Sequence, residues 1–215
     1  MTRLIMTHAQ KGGSGKTTMS ANLYTCAVYD GISSAIFDLD PQSSIIRRFE
    51  KRDNTVADLL FGDVPRSMAI SDVVRSVKNT NKDLVFLDTE PRSSERYQEL
   101  AGHSDLIVVP IRPTVLDLEA AGDTYTILKN ADALERTVFV ISQAPAKRGM
   151  AENPDTLEAL EILRRYGLTV APTIIRNRRD YSRSLNDGYG VLEAAPKSKA
   201  ADEIRNLWNF IKERI

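Results

Sequence analysis

The sequence has a single cysteine, no long hydrophobic run and no net charge. Cys26 is alone among 215 residues, so an internal disulfide is excluded and a reducing cytosol is expected. No apolar run approaches the roughly 18 residues that a membrane-spanning helix needs. Lysine and arginine together number 29, and so do aspartate and glutamate, so the whole chain does not attract nucleic acid electrostatically. Any contact with DNA must therefore come from a local basic patch.

Apolar runs and helical patterns alternate along the chain, which predicts an α/β fold with a mostly parallel, doubly wound sheet flanked by helices. At 215 residues the chain is long enough to bury a full core as one domain, residues 1–215. No internal repeat, low-complexity segment or clear linker divides the sequence. Because the first strand begins almost at the first residue, we expect no signal peptide and no additional DNA-reading domain.

A glycine-rich stretch, Gln10–Thr18, lies between a predicted strand and a predicted helix. The strand is the apolar run Leu4–Met6, and the helix begins with Ser20–Val28. Three glycines let the backbone fold tightly and turn its N–H groups inward, where they and the positive end of the helix form a cradle for phosphate oxygens. In such a cradle Lys16 would reach the β- and γ-phosphates, and the Thr17 hydroxyl would bind Mg²⁺.

Acidic residues follow two further apolar runs. Asp38 and Asp40 come at the end of the run Ala35–Phe37, and Asp88 closes the run Leu84–Leu87. In a doubly wound sheet, ligands bind at the carboxyl ends of the strands, so these carboxylates should face the phosphate end. An apolar run that closes with aspartate is the Walker B pattern, in which Asp88 would hold Mg²⁺, usually through water. The alternative is that each acidic residue only caps the turn or helix that follows it.

The loop departs from the ordinary phosphate-binding pattern in one informative way. Gln10 stands where the first glycine is usual, and a second lysine, Lys11, begins the loop. The sequence KGGSGKTT resembles the deviant Walker A motif of the ParA/MinD family of P-loop ATPases. In that family the first lysine reaches across a dimer interface to the nucleotide of the other subunit, which implies the same role for Lys11. The alternative is an ordinary P-loop with a solvent-exposed lysine.

The resemblance extends to the acidic motifs and implies a full set of site residues. The sequence DLDPQ is similar to the family's second motif, which implies that Asp40 positions or activates the attacking water and that Asp38 supports Mg²⁺ and switch movement. Glu90 occupies a variable position of the third motif and has no implied role. The implied residues are Lys11, Lys16 and Asp40 for catalysis; Thr17, Asp38 and Asp88 for metal binding; and Lys11, Gly12, Gly13, Ser14, Gly15, Lys16, Thr17, Thr18, Pro172 and Arg176 for binding ATP or ADP.

Two later stretches also resemble the family. Arg112–Gly122 is similar to the segment that leads into a helix at the dimer face, where Asp117 is either an interface residue or only a helix-terminal acid. A predicted sixth strand, Thr169–Ile175, leads into residues 176–190, where the family has adenine contacts and non-specific DNA contacts. The arginines implied in DNA binding are Arg176, Arg178, Arg179 and Arg183. The alternative is a solvated charged loop.

The remaining helical patterns complete the predicted fold. Those beyond the first helix are Thr55–Leu60, Ser71–Val77, Leu118–Leu134, Pro154–Tyr166 and Ala200–Ile215. The last of them carries an apolar stripe that includes Trp208. This stripe either packs on the sheet as a core helix or lies on a membrane surface, as in the MinD branch of the family.

The closest resemblance is to short ParA-type partition ATPases. It implies an ATPase that forms a homodimer with ATP and Mg²⁺, binds DNA non-specifically and segregates plasmid or chromosomal DNA in the nucleoid-associated cytoplasm. A ParB-like centromere-binding or adaptor protein would stimulate its slow hydrolysis. The alternatives are a MinD-like membrane-associated spatial regulator, a ParA-like positioner of a protein cargo, and a P-loop enzyme acting on a small molecule. Acidic residues in the last helix make a membrane partner the weaker expectation.

Overall fold

A computed structural model describes residues 1–42, 44–52, 60–91, 95–147 and 149–215. Within these residues, the strands are β1 Arg3–Thr7, β2 Ser34–Asp38, β3 Leu60–Asp63, β4 Leu84–Asp88, β5 Leu106–Ile111 and β6 Thr137–Ile141. The helices are α1 Lys16–Tyr29, α2 Ile46–Phe49, α3 Ile70–Lys78, α4 Glu95–His103, α5 Val115–Asn130, α6 Pro154–Arg165, α7 Arg179–Asn186, α8 Val191–Ala194 and α9 Lys199–Lys212.

The six strands form one parallel sheet in the order β3–β2–β4–β1–β5–β6. This topology confirms the predicted doubly wound architecture, in which helices cover both faces of the sheet. The register places Asp38 opposite Asp88, and Asp88 opposite Thr7. The last residues of three neighbouring strands therefore lie in one row, at the edge where β1 leads into the glycine loop.

Strand side chains alternate between two buried apolar layers. One layer contains Ile5 and Phe86 together with Trp208 of α9. The other contains Leu4 together with Leu128 of α5. Because both faces of the sheet are covered, the strand ends form a fixed platform for the loops that follow them.

The segment Thr169–Ile175 is not a strand, so the sequence prediction for it was wrong. Its backbone bonds to β6 are separated: Phe139 donates to the Thr169 carbonyl at 2.8 Å, and Ile175 donates to the Ile141 carbonyl at 2.9 Å. Ala171 also donates to the Phe139 carbonyl, at 2.8 Å, but the next N–H group of the segment that bonds to β6 is that of Ile175, so the pairing does not continue as a strand.

The sixth strand of the sheet is instead β3, which pairs with β2 at the sheet edge. The helix predicted for Thr55–Leu60 is wrong at Leu60, the first residue of this strand, and its other residues lie outside the described part of the chain. The apolar residues of β3, Leu60 and Phe61, are followed at once by Gly62 and Asp63, so the sequence did not mark a strand here.

Helix α9 confirms the core-helix alternative for the C-terminal stripe. Leu207, Trp208 and Ile211 are at most 2 % exposed and pack in the layer that also contains α1. The Trp208 indole N–H donates to Asp30 at 2.9 Å, which satisfies the polar atom of this buried side chain. In the part of the chain that the structure describes, no helix combines the length and the apolar character needed to cross a membrane.

Candidate functional site

The loop between β1 and α1 has the backbone geometry of an anion cradle. Gly13 and Gly15 have φ angles of +73° and +100°, which residues with a side chain rarely adopt. The Gly13 carbonyl accepts a hydrogen bond from the Gln143 amide, and the Ser14 carbonyl accepts one from the Ser142 hydroxyl, each at 2.6 Å. These side chains after β6 engage the loop's carbonyl groups, while the start of α1 offers N–H groups to phosphate oxygens.

The two lysines of the loop differ in burial. Lys16 is only 6 % exposed, and its Nζ donates to the Lys11 carbonyl at 3.2 Å. Burial lowers the pKa of Lys16, although the charges of Asp88 and Asp40 act to raise it. Lys11 is partly exposed. The cradle therefore contains one lysine within it and one that is accessible from outside.

Asp88, at the end of β4, joins α1 to the sheet. Thr17 Oγ1 donates to Asp88 Oδ2 at 2.8 Å, and Ser20 Oγ donates to Asp88 Oδ1 at 3.0 Å. Burial, and then the charge of Asp38, raise the pKa of Asp88 to about 7, although the two hydroxyl bonds oppose this shift. Hydroxyl and carboxylate oxygens are the hard ligands that suit Mg²⁺. Thr17 and Asp88 thus form a donor set that fits this ion.

Asp38 organises the turn that follows β2. Its Oδ1 accepts the Asp40 N–H at 2.9 Å, and its Oδ2 accepts the Ile45 N–H at 3.1 Å. Burial raises the pKa of Asp38 to about 6, although these two backbone bonds act to lower it. Asp38 therefore fixes the backbone that carries Asp40, in addition to lying beside Asp88 in the sheet.

A cavity of about 500 Å³ opens in front of the glycine loop. Asp40 lies on its wall, half exposed, and its Oδ1 accepts the Gln42 N–H at 3.0 Å. The loop residues on the wall are Gly12, Gly13, Gly15, Lys16, Thr17 and Thr18. The cavity thus brings Lys16, Thr17 and Asp40 together with the loop glycines, whereas Lys11, Asp38 and Asp88 do not line it.

Sequence reasoning assigned no site role to six residues on this wall: Gln42, Ser44, Arg48, Glu90, Pro91 and Gln143. Arg48 and Gln143 belong to no motif, and Glu90 was noted only as a residue without a role. Glu90 comes shortly after β4 and Gln143 shortly after β6, whereas Arg48 lies on helix α2. The rule that ligands bind at the carboxyl ends of strands was therefore an available signal for Glu90 and Gln143, but not for Arg48.

A second cavity, of about 280 Å³, adjoins the first at Gly15 and Thr18. Ile175 and Arg176 line it, which brings the segment after Pro172 next to the glycine loop. Pro172 itself is exposed and lines neither cavity. A polar cavity beside the loop and a second cavity at its flank match the two ends of a nucleotide, the phosphates and the base.

Comparison with known sequences agrees with this geometry. The model of the CobQ/CobB/MinD/ParA nucleotide binding domain matches residues 5–191. The chain belongs to this family. The Maintenance of carboxysome distribution protein A of Halothiobacillus neapolitanus is 26 % identical over 211 residues, which cover 94 % of this chain and 92 % of that protein. Protein ParA of Rhizobium radiobacter is 25 % identical over 144 residues, which cover 63 % of this chain and 60 % of that protein.

Solved structures of the ParA/MinD type share the fold. Apo McdA from Cyanothece superposes with a TM-score of 0.78 at 16 % identity, covering 100 % of this chain and 99 % of that one. A plasmid partition protein from Borrelia burgdorferi bound to AMPPNP superposes with a TM-score of 0.77 at 16 % identity, covering all of both chains. The resemblance stated from the motifs is confirmed, and the P-loop fold class with it.

Two of the four arginines predicted to bind DNA are held in ion pairs within this ParA/MinD-family chain. Arg176 donates to Glu152 at 2.6 and 2.9 Å, which raises the pKa of the arginine and lowers that of the glutamate. Arg178 donates to Glu203 at 2.6 and 2.8 Å. These arginines tie the segment before α7 to the segment before α6 and to α9, so their charges are largely neutralised.

The other two, Arg179 and Arg183, are exposed on α7, one turn apart. Among the described residues, neither has a carboxylate within ion-pair distance. The predicted patch of four arginines is thus divided into two that stabilise the fold and two that remain available. DNA binding by any of them stays a prediction.

Asp117 stabilises the start of α5. It is 5 % exposed and accepts bonds from Arg112 at 3.0 and 3.1 Å and from the Thr114 hydroxyl at 2.6 Å. Thr114 caps the helix, which explains why α5 begins earlier than predicted, at Val115. The carboxylate of Asp117 is therefore engaged within its own chain, and its interface role stays a prediction.

Proposed function

We propose that the chain is an ATP-driven switch of the ParA/MinD type, which dimerises with ATP and Mg²⁺ and hydrolyses ATP slowly until a partner protein stimulates it. The observation that carries this proposal is the 2.8 Å contact between Thr17 and Asp88 beneath the glycine loop. This contact joins a hydroxyl group at the start of α1 to a carboxylate at the end of β4. These are the two side-chain groups that hold Mg²⁺ beside the phosphates in a P-loop site. Membership of the nucleotide-binding family supports the same conclusion.

Each residue of the site has a part in this proposal. The loop N–H groups and Lys16 bind and orient the phosphates, and Thr17 and Asp88 hold Mg²⁺, which when bound neutralises charge on the transferring phosphoryl group. Asp40, on the wall of the same cavity, orients the attacking water. Lys11, accessible from outside the loop, reaches the phosphates of a second subunit.

The proposed output is movement of a cargo along nucleoid DNA in the cytoplasm. Arg179 and Arg183 would contact DNA phosphates without reading sequence, and a dimer would present two such pairs. A ParB-like adaptor bound to the cargo would stimulate hydrolysis and release the protein from DNA. Electrostatic stabilisation supplied by a second protein is worth about 10³–10⁵ in the rate of phosphoryl transfer.

Dimerisation is the first test. Light scattering after size-exclusion chromatography, with Mg²⁺ and a non-hydrolysable ATP analogue, should give twice the monomer mass for the wild-type protein and for Asp40→Ala. Lys11→Ala should bind the analogue and remain monomeric. A wild-type protein that binds the analogue and stays a monomer would contradict the switch while leaving nucleotide binding intact.

Turnover is the second test. Asp40→Ala should lose about 10²-fold or more in ATP hydrolysis, which is the usual contribution of a positioned general base. The matched control is Asp202→Ala, which removes an exposed aspartate on α9 that lines neither cavity. Equal turnover in both variants would remove Asp40 from the mechanism.

A protein cargo is the second candidate, favoured by the carboxysome-distribution relative that matches 94 % of the chain. It shares the ATP switch and DNA binding and differs only in what the adaptor carries. The MinD-like alternative requires a membrane partner, and the apolar stripe of α9, including Trp208 at 2 % exposure, is occupied by core contacts. Co-sedimentation with anionic liposomes and gel shift with DNA, each with and without ATP, would separate these functions. ATP-dependent lipid binding without DNA binding would favour the MinD-like function.

A further inference from the structure

We propose that Arg48 is a further nucleotide-contacting residue, which binds the terminal phosphate of ATP from helix α2. The proposal rests on the proposed function of the cavity as a nucleotide site and adds to it a residue that discriminates ATP from ADP. Four observations support it: the position of Arg48, the charges around it, its lack of an ion-pair partner and the anchoring of its helix.

Arg48 lies on the wall of the 500 Å³ cavity in front of the glycine loop. Among the described residues of that wall, the basic ones are Lys16 and Arg48, and the acidic ones are Asp40 and Glu90. Glu90 has a counterion outside the cavity, since Arg66 approaches it to 3.5 Å. Asp40 is the other carboxylate on the wall, and its negative charge repels a triphosphate. A second cation on the wall, in addition to Lys16, stabilises the bound triphosphate.

The guanidinium of Arg48 is uncommitted within the described part of the chain. No described carboxylate lies within ion-pair distance of it, whereas Arg52 and Arg112 are both paired. Arg48 is half exposed, so its side chain retains water that a ligand can replace. A planar guanidinium suits phosphate because it offers two parallel N–H donors to two oxygens.

The helix that carries Arg48 is anchored on its other side by Arg52. The Arg52 side chain, 5 % exposed, donates to Glu193 at 2.5 Å and to the Gly188 carbonyl at 3.2 Å. Gly188 has a φ of +84°, and a Cβ there would clash with the Arg48 carbonyl oxygen. The backbone of α2 is therefore packed tightly against the corner between α7 and α8. This contact fixes the backbone of Arg48 beside the cavity before ligand arrives, so that binding has to order only its side chain.

The test measures affinity for a non-hydrolysable ATP analogue and for ADP, both with Mg²⁺, by titration calorimetry. Arg48→Ala should weaken binding of the ATP analogue by about tenfold or more, the usual effect of removing a charge-assisted hydrogen bond. Its affinity for ADP should change by less than about twofold, because the lost contact is to the third phosphate. Retained ADP binding also shows that the variant is folded.

The matched control is Arg47→Ala, which removes the neighbouring, exposed arginine of the same helix that does not line the cavity. It should leave both affinities unchanged. Arg48→Lys, which keeps the charge but loses the planar fork, should fall between wild type and Arg48→Ala. The proposal is overturned if Arg48→Ala leaves both affinities intact, or weakens ATP analogue and ADP equally. A wild-type protein that binds neither nucleotide would instead overturn the proposed function of the whole site.

Because Arg52 anchors the helix that carries Arg48, it is a positioning residue. Its effect on nucleotide preference can be measured separately from that of Arg48. Arg52→Ala should lower the preference for the ATP analogue over ADP by about threefold or more while ADP binding persists, and Arg52→Lys should restore part of that preference. A melting temperature that falls while the preference stays at the wild-type value would assign Arg52 a purely structural role and overturn this part of the proposal.

Discussion

Charged residues are concentrated in two regions: the glycine loop with the acids at the strand ends, and the arginine segment 176–183. The two regions differ in the partners that these charged side chains have. At the loop, Asp88 is fully buried, and its side-chain bonds come from two hydroxyl groups. In the arginine segment, Arg176 and Arg178 each have a glutamate at 2.6 Å. A buried charge without an ion-pair partner destabilises the folded protein more than one that is paired. The difference indicates that charged groups hydrogen-bonded to neutral partners mark the ligand site, whereas those held in close ion pairs stabilise the fold.

The largest expected effect tests whether the cradle is built for phosphate. Lys16→Ala should weaken ATP binding by about 10²-fold, because it removes the buried cation from the cradle, and Lys11→Ala should change single-site binding by less than about threefold. Titration calorimetry under conditions that keep the protein monomeric measures both. Equal losses in the two variants would contradict the assignment of Lys16 to the protein's own nucleotide and Lys11 to that of a second subunit.

The second effect tests the cost of burying the carboxylate of Asp88. The pKa of Asp88 is raised from 3.8 to about 7, so in the absence of ligand the folded state holds a proton that the unfolded state has lost. Stability should therefore fall as pH rises from about 4 to about 7. Asp88→Asn imitates the protonated acid and should unfold at higher denaturant at pH 7.5, by about 1–2 kcal/mol, with little difference at pH 4.

The same variant should lose the effect of Mg²⁺ on ATP binding, because the carboxylate that would hold the ion is gone. Denaturant unfolding across this pH range, in wild type and Asp88→Asn, gives the stability, and nucleotide titration with and without Mg²⁺ gives the function. Identical pH dependence of the two proteins would show that Asp88 is not the group responsible.

The smallest effect tests whether paired and unpaired arginines differ in function. Replacing Arg179 and Arg183 with alanine should weaken DNA binding in the ATP state by about threefold to tenfold and lower the salt dependence of binding by about one counterion per arginine. Arg176→Ala or Arg178→Ala should leave the salt dependence unchanged and lower the free energy of unfolding by about 1 kcal/mol, because a partly buried glutamate loses its partner.

Gel shifts at several salt concentrations, with denaturant unfolding beside them, measure both consequences. If the paired arginines prove to set the salt dependence, ATP binding must break their ion pairs. The distinction between ligand-binding and structural charges would then apply only to the unliganded protein.

Prediction from the sequence was most accurate where it depended on the order of strands, loops and helices along the chain. The sequence of strand, glycine loop and helix predicted the cradle around Gly15, and the strand-end rule predicted that Asp88 would lie beside it. Thr17 and Asp88 are 71 residues apart and yet in contact, because parallel strands align their carboxyl ends in the row that the register shows. Prediction was least accurate at the sheet edge, where Leu60 and Phe61 of β3 are followed at once by Gly62 and Asp63, and at Thr169–Ile175, where a segment of strand-like composition bonds to β6 only at separated points.

The sequence by itself determined the fold class and the end of the sheet at which the phosphate site lies. Both depend on glycine conformation, helix polarity and the order of elements along the chain, which are local or topological properties. Only the tertiary structure decided which charges are satisfied. Arg178 and Glu203 are 25 residues apart, and no periodicity links them. The same holds for Arg48, which no motif marks and which reaches the cavity because Arg52 and Gly188 fix its helix. Ion pairing depends on which side chains meet across the fold, and that is settled by packing rather than by spacing along the chain.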